Sequence, residues 1–524
     1  MRISLCRPAF ALVAALPLLI ACQGADRSVQ RHTLVDSRDW YDPRSLDPAR
    51  STDVPTGRAV AYLFDGLTRF APDATVEPGL AERWDISDDG LRYTFHLRGG
   101  VLFHDGRTLT ASHVAESFRR VLDPTSTGGR GWPLYPIRGA RAYSEGKASR
   151  FDGIETPDDS TVVITLEEPL AIFPKLLAMP VASVVPDGAG EDFGEKPIGT
   201  GPWKLVEWRH DDYLKFARHD AYFGGAPAVD TLIARIIPEP STAVAEFESG
   251  SVDILYIPED QTASWQGTPE RRALLYTAPA LRLWYVGVNV KRGPLADVRV
   301  RQAIAHAINA KQLLDRLLGG RGRLAAGVIP PSLDGADTLR APYAFDIARS
   351  KQLLTDAGFP NGIDVELWSS QTAPLPRMAE SMQAFLGEAG IRVKLVQRDA
   401  SSVREAARNG QVDLILKDWY ADYSDAENFL YPLLHSANHG VGGNVSFYAN
   451  PGFDSLVTLA RREGRDAERI ELYRQADALA YRDVGLIPLF FYNELYAVQP
   501  WVQGFEVPAI FNGQRWTKVW LGVP

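Results

Sequence analysis

The chain contains two cysteines, Cys6 and Cys22, and both lie within its first 22 residues. Whatever follows Cys22 must therefore fold without a disulfide, by packing and hydrogen bonding alone. That remainder, about 500 residues, exceeds what one hydrophobic core supports, so its length predicts two or three lobes. The composition suits a folded protein: 45% hydrophobic, 23% charged, with no low-complexity tract. No internal repeat is visible.

The residues around these cysteines carry their own signal. Positive charge at Arg2 and Arg7 precedes an apolar run over 9–21, broken only by Pro17. A helix needs about 20 apolar residues to cross a bilayer, so this run reads instead as an export signal. Its last residues, LIAC, match the bacterial lipobox, which makes Cys22 the lipidated N-terminus and 1–21 the signal peptide. An ordinary signal with an incidental Cys22 is the alternative. Residues 22–32 then form a short polar tether carrying the lipidated Cys. Two or three acyl chains, at about 0.8 kcal/mol per buried methylene, anchor a protein stably where one does not. Without Arg2 and Arg7 the chain has 54 basic and 65 acidic residues, a net charge near −11. Nucleic-acid binding needs a basic stripe, and none is present.

Strands and helices alternate along the chain. Leu91, Tyr93, Phe95 and Leu97 interleave with Arg92, Thr94, His96 and Arg98, the period of a half-wet strand, and a second strand is predicted over 161–166. Apolar residues over 300–318 follow a helical stripe that stops at Gly319 and Gly320. Asp346 is placed to cap a helix over 347–357, with Gly358 beyond its end. A strand over 363–368, a helix over 376–389 and a strand over 391–396 make a βαβ unit, hence a parallel sheet. Candidate boundaries lie near 186–201, 277–281 and 487–491.

Catalytic motifs are absent: no HExxH, no GxSxG and no GxxxxGK[ST] occurs. PIGTGPW (197–203) lacks the Lys-Ser/Thr of a phosphate cradle and reads as a structural turn. His435 and His439 have the i, i+4 spacing of metal ligands, but Pro432, Gly440, Gly442 and Gly443 speak against a helix there. No metal or cofactor is expected. Glu167 and Glu168 read as solvated. KDWYADYSDAENF (417–429) is different, because it follows an apolar strand over 412–416 and joins Trp419 and Tyr420 to Asp422. Such an element can offer backbone hydrogen bonds, ring faces and a carboxylate for a cation. From these residues alone, Asp422 as a helix N-cap and Asp422 as a ligand anchor stand equal.

Taken in order, several blocks resemble the oligopeptide- and dipeptide-binding proteins of ABC importers, the bacterial extracellular solute-binding proteins of family 5. They are RSLDPAR (44–50), LFDGLT (63–68), PGLAERWDISDDGLRYTFHLRGGVLFHDG (78–106), GTGPW, SGSVDI (249–254), DVRVRQAIAHAIN (297–309), ARSKQLLTDAGFP (348–360), DWYADYSDAENF and IPLFFY (487–492). The resemblance implies an α/β chain with a type II periplasmic-binding-protein fold, two lobes and a hinge, plus an inserted domain. Lobe I would combine 31–60, 187–277 and 490–524, domain II would be 61–186, and lobe III 278–489. It further implies a monomer in the periplasm or cell envelope that closes on a peptide and is read by separate permease and ATPase chains, without catalysis.

By the same resemblance Asp422 takes the peptide's N-terminal amine. Trp419, Tyr420 and Ala421 on one side and Thr52, Asp53 and Val54 on the other hold its backbone like an added strand. The family's carboxylate-reading Arg is replaced by Leu416, which leaves Lys417, expected on the other face of its strand, and Arg377 as substitutes. The same scaffold could carry a nickel chelate, haem, an opine or an oligosaccharide. An envelope sensor or chaperone of peptides is the other alternative.

Overall fold

A computed structural model describes residues 32–51, 53–126 and 131–522. The signal, Cys22, most of the tether and Thr52 lie outside the described residues. Among those described, no helix is long and apolar enough to cross a membrane.

Eleven strands form one large sheet. Its two longest, Leu275–Val288 and Ile487–Val498, pair antiparallel at the centre. On one side of this pair follow Ile254–Tyr256, Thr33–Ser37, Thr231–Arg235, Tyr213–Arg218 and Trp203–Arg209. On the other side come Leu414–Tyr420, Ile363–Ser370 and Ile391–Arg398, while Gly322–Leu324 flanks Ile487–Val498. The sheet thus has two halves joined through two shared strands. Their register slips between Pro279 and Leu283 and again between Trp284 and Tyr285, so the ladder is irregular where the halves meet.

The expected βαβ unit is present: Ile363–Ser370 runs parallel to Ile391–Arg398, and helix Leu375–Glu388 connects them. Met378, Met382 and Leu386 turn the apolar stripe of that helix into a core with Leu367 and Leu414. Asp346 caps helix Ile347–Asp356 by accepting the Arg349 N–H at 2.8 Å. Helix 300–318 is corrected to two helices, Val298–Ala307 and Ala310–Leu317. Ile308 is extended there, and Asn309 opens the second helix by accepting the Gln312 N–H at 3.0 Å. A local cap outweighs a continuous apolar stripe.

A separate antiparallel sheet orders Ala81–Ile86, Arg92–Leu97, Thr161–Thr165 and Ile154–Asp158. The Tyr93, Phe95, Val162 and Ile164 side chains of this sheet join a core that also contains Phe429, Phe453 and Tyr473, from helices far along the chain. The four-stranded unit is therefore packed against the second half of the large sheet's coverings.

PIGTGPW is a close-approach turn. A Cβ on Gly199 would lie 2.0 Å from the Leu63 carbonyl oxygen, and one on Gly201 2.4 Å from that of Tyr62. His104 clamps this turn: its Nδ1 accepts the Gly199 N–H at 3.2 Å, and Nε2 faces the Gly201 oxygen at 3.1 Å. Burial pushes the His104 imidazole down to about 3. The neutral ring is thus the folded form, while the unfolded chain takes up a proton near pH 6.5. The clamp contributes fully above that pH, and its contribution is lost as pH falls toward the folded value. Replacing His104 with Gln should lower Tm at pH 7 and flatten the loss of Tm between pH 7 and 5, as read by calorimetry. Parallel pH profiles would refute the assignment.

Candidate ligand-binding site

Leu414–Tyr420 is buried through Leu416 and half-buried from Lys417 onward. On one edge it pairs with Leu275–Val288 as far as Arg282↔Tyr420. On the other edge it pairs with Ile363–Ser370 only at Leu414 and Ile415. Beyond Ile415 that edge meets no further strand among the described residues. An edge of this kind can accept an extended segment through its free backbone groups.

The residues that follow are held in place by Asn428. Its Oδ1 accepts the Trp419 Nε1–H at 3.1 Å and the Asp422 N–H at 3.0 Å, and its side chain is buried. The Ala421 N–H donates to the Leu281 oxygen at 2.8 Å. Asp422 is half-buried and is not a helix cap. Helix Glu427–Leu434 begins five residues later, and Asp425 takes the Glu427 N–H at 2.9 Å. That removes the capping role which the sequence left open.

Cross-strand partners share a face. Tyr420, Asp418 and Leu416 lie with Arg282, Trp284 and Val286; Trp419 and Lys417 lie opposite, with Leu283 and Tyr285. Leu416, 1% exposed, fills the core beside Trp284 and Val286. Lys417 lies on the other face, as expected, with Nζ 5.9 Å from the Tyr285 ring centre, and burial lowers its pKa. Arg377 is exposed in the first turn of Leu375–Glu388, away from buried Met378 and Met382.

On the first half of the sheet, Asp53 is extended and caps helix Val54–Leu63 by accepting the Thr56 N–H at 2.9 Å. Val54 is already helical. Of the segment expected to flank a ligand backbone, Asp53 is extended and Val54 opens the helix, so helix N–H groups follow directly. Gly57, one turn in, carries no side chain because a Cβ would meet the Phe511 ring at 2.4 Å. The Phe511 ring in turn meets Tyr420 edge-on, with centroids 6.3 Å apart. One aromatic residue thus links the start of helix Val54–Leu63 to strand Leu414–Tyr420.

Charge gathers beside this contact. Arg282 donates to Asp418 at 2.8 Å, and Glu494 stands 4.0 Å from its guanidinium. The Arg282 guanidinium is also within 5.2 Å of the Trp284 ring centre and 5.4 Å of Tyr492. Burial pushes the Glu494 carboxyl up despite Arg282. Among the described residues, no group of three metal-ligating side chains occurs. His435 and His439 each meet their own protein partners, Thr458 Oγ1 at 3.2 Å and the Tyr448 oxygen at 2.9 Å.

Asn428, Phe511, Gly57 and Arg282 were not singled out from the sequence. Asn428 lies in the AENF stretch of 417–429. Phe511 lies in a distant C-terminal segment with no local mark of its role.

The profile described as bacterial extracellular solute-binding proteins, family 5 Middle, matches residues 75–440. The chain belongs to this family of extracytoplasmic binding proteins. It is 32% identical to di/tripeptide-binding protein 2 of Pseudomonas aeruginosa over 92% of this chain and 94% of that protein. It is 31% identical to heme-binding protein A of Haemophilus influenzae over 84% of each. The periplasmic binding protein DppA of Helicobacter pylori, solved in complex with peptide STSA, superimposes with a TM-score of 0.80 at 28% identity, covering 94% of this chain and 99% of that one. The fold is the type II periplasmic-binding-protein fold, two lobes and a hinge with an added domain.

Changing Asn428 to Leu leaves two half-buried donors without their acceptor. Each such loss costs about 1–3 kcal/mol, so urea unfolding should show a clear drop in stability. A drop below about 0.5 kcal/mol, the size of an ordinary surface change, would mean that Asn428 does not hold the turn.

Proposed function

We propose that this protein captures peptides outside the cytoplasm and delivers them to the permease and ATPase subunits of an ABC importer, without acting as an enzyme. The observation that carries this reading is the edge of Leu414–Tyr420 that meets no neighbouring strand beyond Ile415 among the described residues. Backbone pairing along that edge is blind to side chains, so it suits a ligand class with a common backbone. Likeness to a di/tripeptide-binding protein and to a peptide-complexed structure supports the same ligand.

In this reading lobe I comprises 31–60, 187–277 and 490–524, domain II 61–186 and lobe III 278–489, closing about the two shared central strands. Asp422 takes the peptide's N-terminal ammonium. Trp419, Tyr420 and Ala421 on one side and Thr52, Asp53 and Val54 on the other flank the backbone. For a ligand carboxylate the candidates are Lys417, Arg377 and Arg282, of which Arg282 shares the Tyr420 face. The lipid on Cys22 anchors the protein in the cell envelope.

Haem is a second reading, favoured by the likeness to heme-binding protein A. Mass spectrometry and visible absorbance of the protein as purified separate the two: peptides are expected, and a haem Soret band would overturn the proposal. With trialanine as probe, Asp422→Ala and N-acetylation should each lower affinity about ten- to hundredfold, the worth of a charge-assisted hydrogen bond. Unchanged calorimetric affinity after both changes would remove the amine anchor.

A further inference from the structure

The turn that carries Asp422 is gripped from two sides. Asn428, within lobe III, fixes its beginning. Its end is held by Lys175, which belongs to the inserted unit around the four-stranded sheet. Lys175 Nζ donates to the Ser424 oxygen at 2.7 Å and to Asp425 Oδ2 at 2.6 Å. The same Oδ2 accepts from Arg469 Nη1 at 2.7 Å, on helix Asp466–Asp483. The Asp425 side chain is 4% exposed. Burial alone would raise its pKa, but Lys175 and Arg469 hold it below the ordinary carboxylate value.

Further contacts cross the same boundary. The Ser424 hydroxyl donates to the Ala74 oxygen, and the Ala171 N–H reaches the Arg461 oxygen at 3.2 Å. Arg462 pairs with Glu168 at 2.6 Å in an exposed ion pair, so Glu168 stays solvated as its sequence setting suggests. Lys175 is itself positioned from within its own unit, where Thr68 Oγ1 donates to the Pro174 oxygen at 2.6 Å.

We infer that Lys175 is a positioning residue for ligand capture, a latch that holds the 422–425 turn when the inserted domain and lobe III come together. The asymmetry of its partners carries the argument. If the two units part, Asp425 keeps Arg469 and the Glu427 N–H, so no buried charge is stranded, while Lys175 returns to water. The Lys175 ion pair can therefore be made and broken without stranding a buried charge, unlike a buried pair that loses its only partner. In the joined state it fixes the residue three positions beyond the amine anchor. Closure and site order are then one event, and Lys175 biases both toward the joined form.

The inference rests on the peptide-binding reading for its ligand, so its test includes an arm without one. Solution X-ray scattering compares the whole protein with its Lys175→Met and Lys175→Arg variants, alone and with saturating trialanine. Lys175→Met should increase the radius of gyration in at least one of these conditions, and Lys175→Arg should restore the wild-type value. In stopped-flow binding, Lys175→Met should raise the dissociation rate of trialanine about tenfold, with the association rate changed less than about twofold. Scattering profiles of wild type and Lys175→Met that coincide in both conditions would overturn the latch. A wild-type protein that ignores trialanine would count against the peptide reading, while the ligand-free scattering would still decide the latch.

Discussion

The antiparallel pairing of Leu275–Val288 with Ile487–Val498 is the contact on which the rest of the structure depends. Each strand begins in one half of the sheet and ends in the other, so neither half is complete without both. The register slip at Pro279–Leu283 and Trp284–Tyr285 lies where the halves meet. A β-bulge leaves residues outside the ladder and bends the strand, so rotation there disturbs few hydrogen bonds elsewhere. Arg282 sits within that irregular stretch and reaches Asp418 on the binding strand and Glu494 on the other shared strand. The irregular stretch of the shared strands and the candidate site thus meet at Arg282.

The candidate binding element follows from incomplete pairing. Leu414–Tyr420 continues past the last residue that Ile363–Ser370 pairs with, which leaves backbone groups facing outward. Side chains then decide what can approach. Phe511, seated on Gly57, brings a ring against Tyr420, while Asn428 holds Trp419 and the Asp422 N–H at one oxygen. The inserted unit contributes more than bulk, since its core is continuous with that under helix Glu427–Leu434.

Much of this was legible in the sequence where local chemistry dominates. The alternation at Leu91–Leu97, the cap at Asp346 and the βαβ unit at 363–396 depend on neighbours within a few residues. The helix expected over 300–318 shows the limit. Its apolar stripe is real, yet Asn309 offered the backbone a better local partner and split it. Asp422 shows another limit, because an Asp before a helix reads as a cap until the helix is seen to start at Glu427.

By itself, the sequence carried the pattern of an export signal, confined both cysteines to the first 22 residues, placed the chain in a solute-binding family and marked Trp419–Asp422 as the segment to watch. Those properties reside in composition, short periodicities and contiguous motifs. Only the tertiary structure decided that Leu416 is core, that Arg282 and Tyr420 share a face, and that Phe511 meets Tyr420. It alone brought Lys175 to Asp425, 250 residues apart in the chain. The reason is physical: which face a strand presents and which distant group lies against it are set by packing between lobes, and no local periodicity encodes that distance.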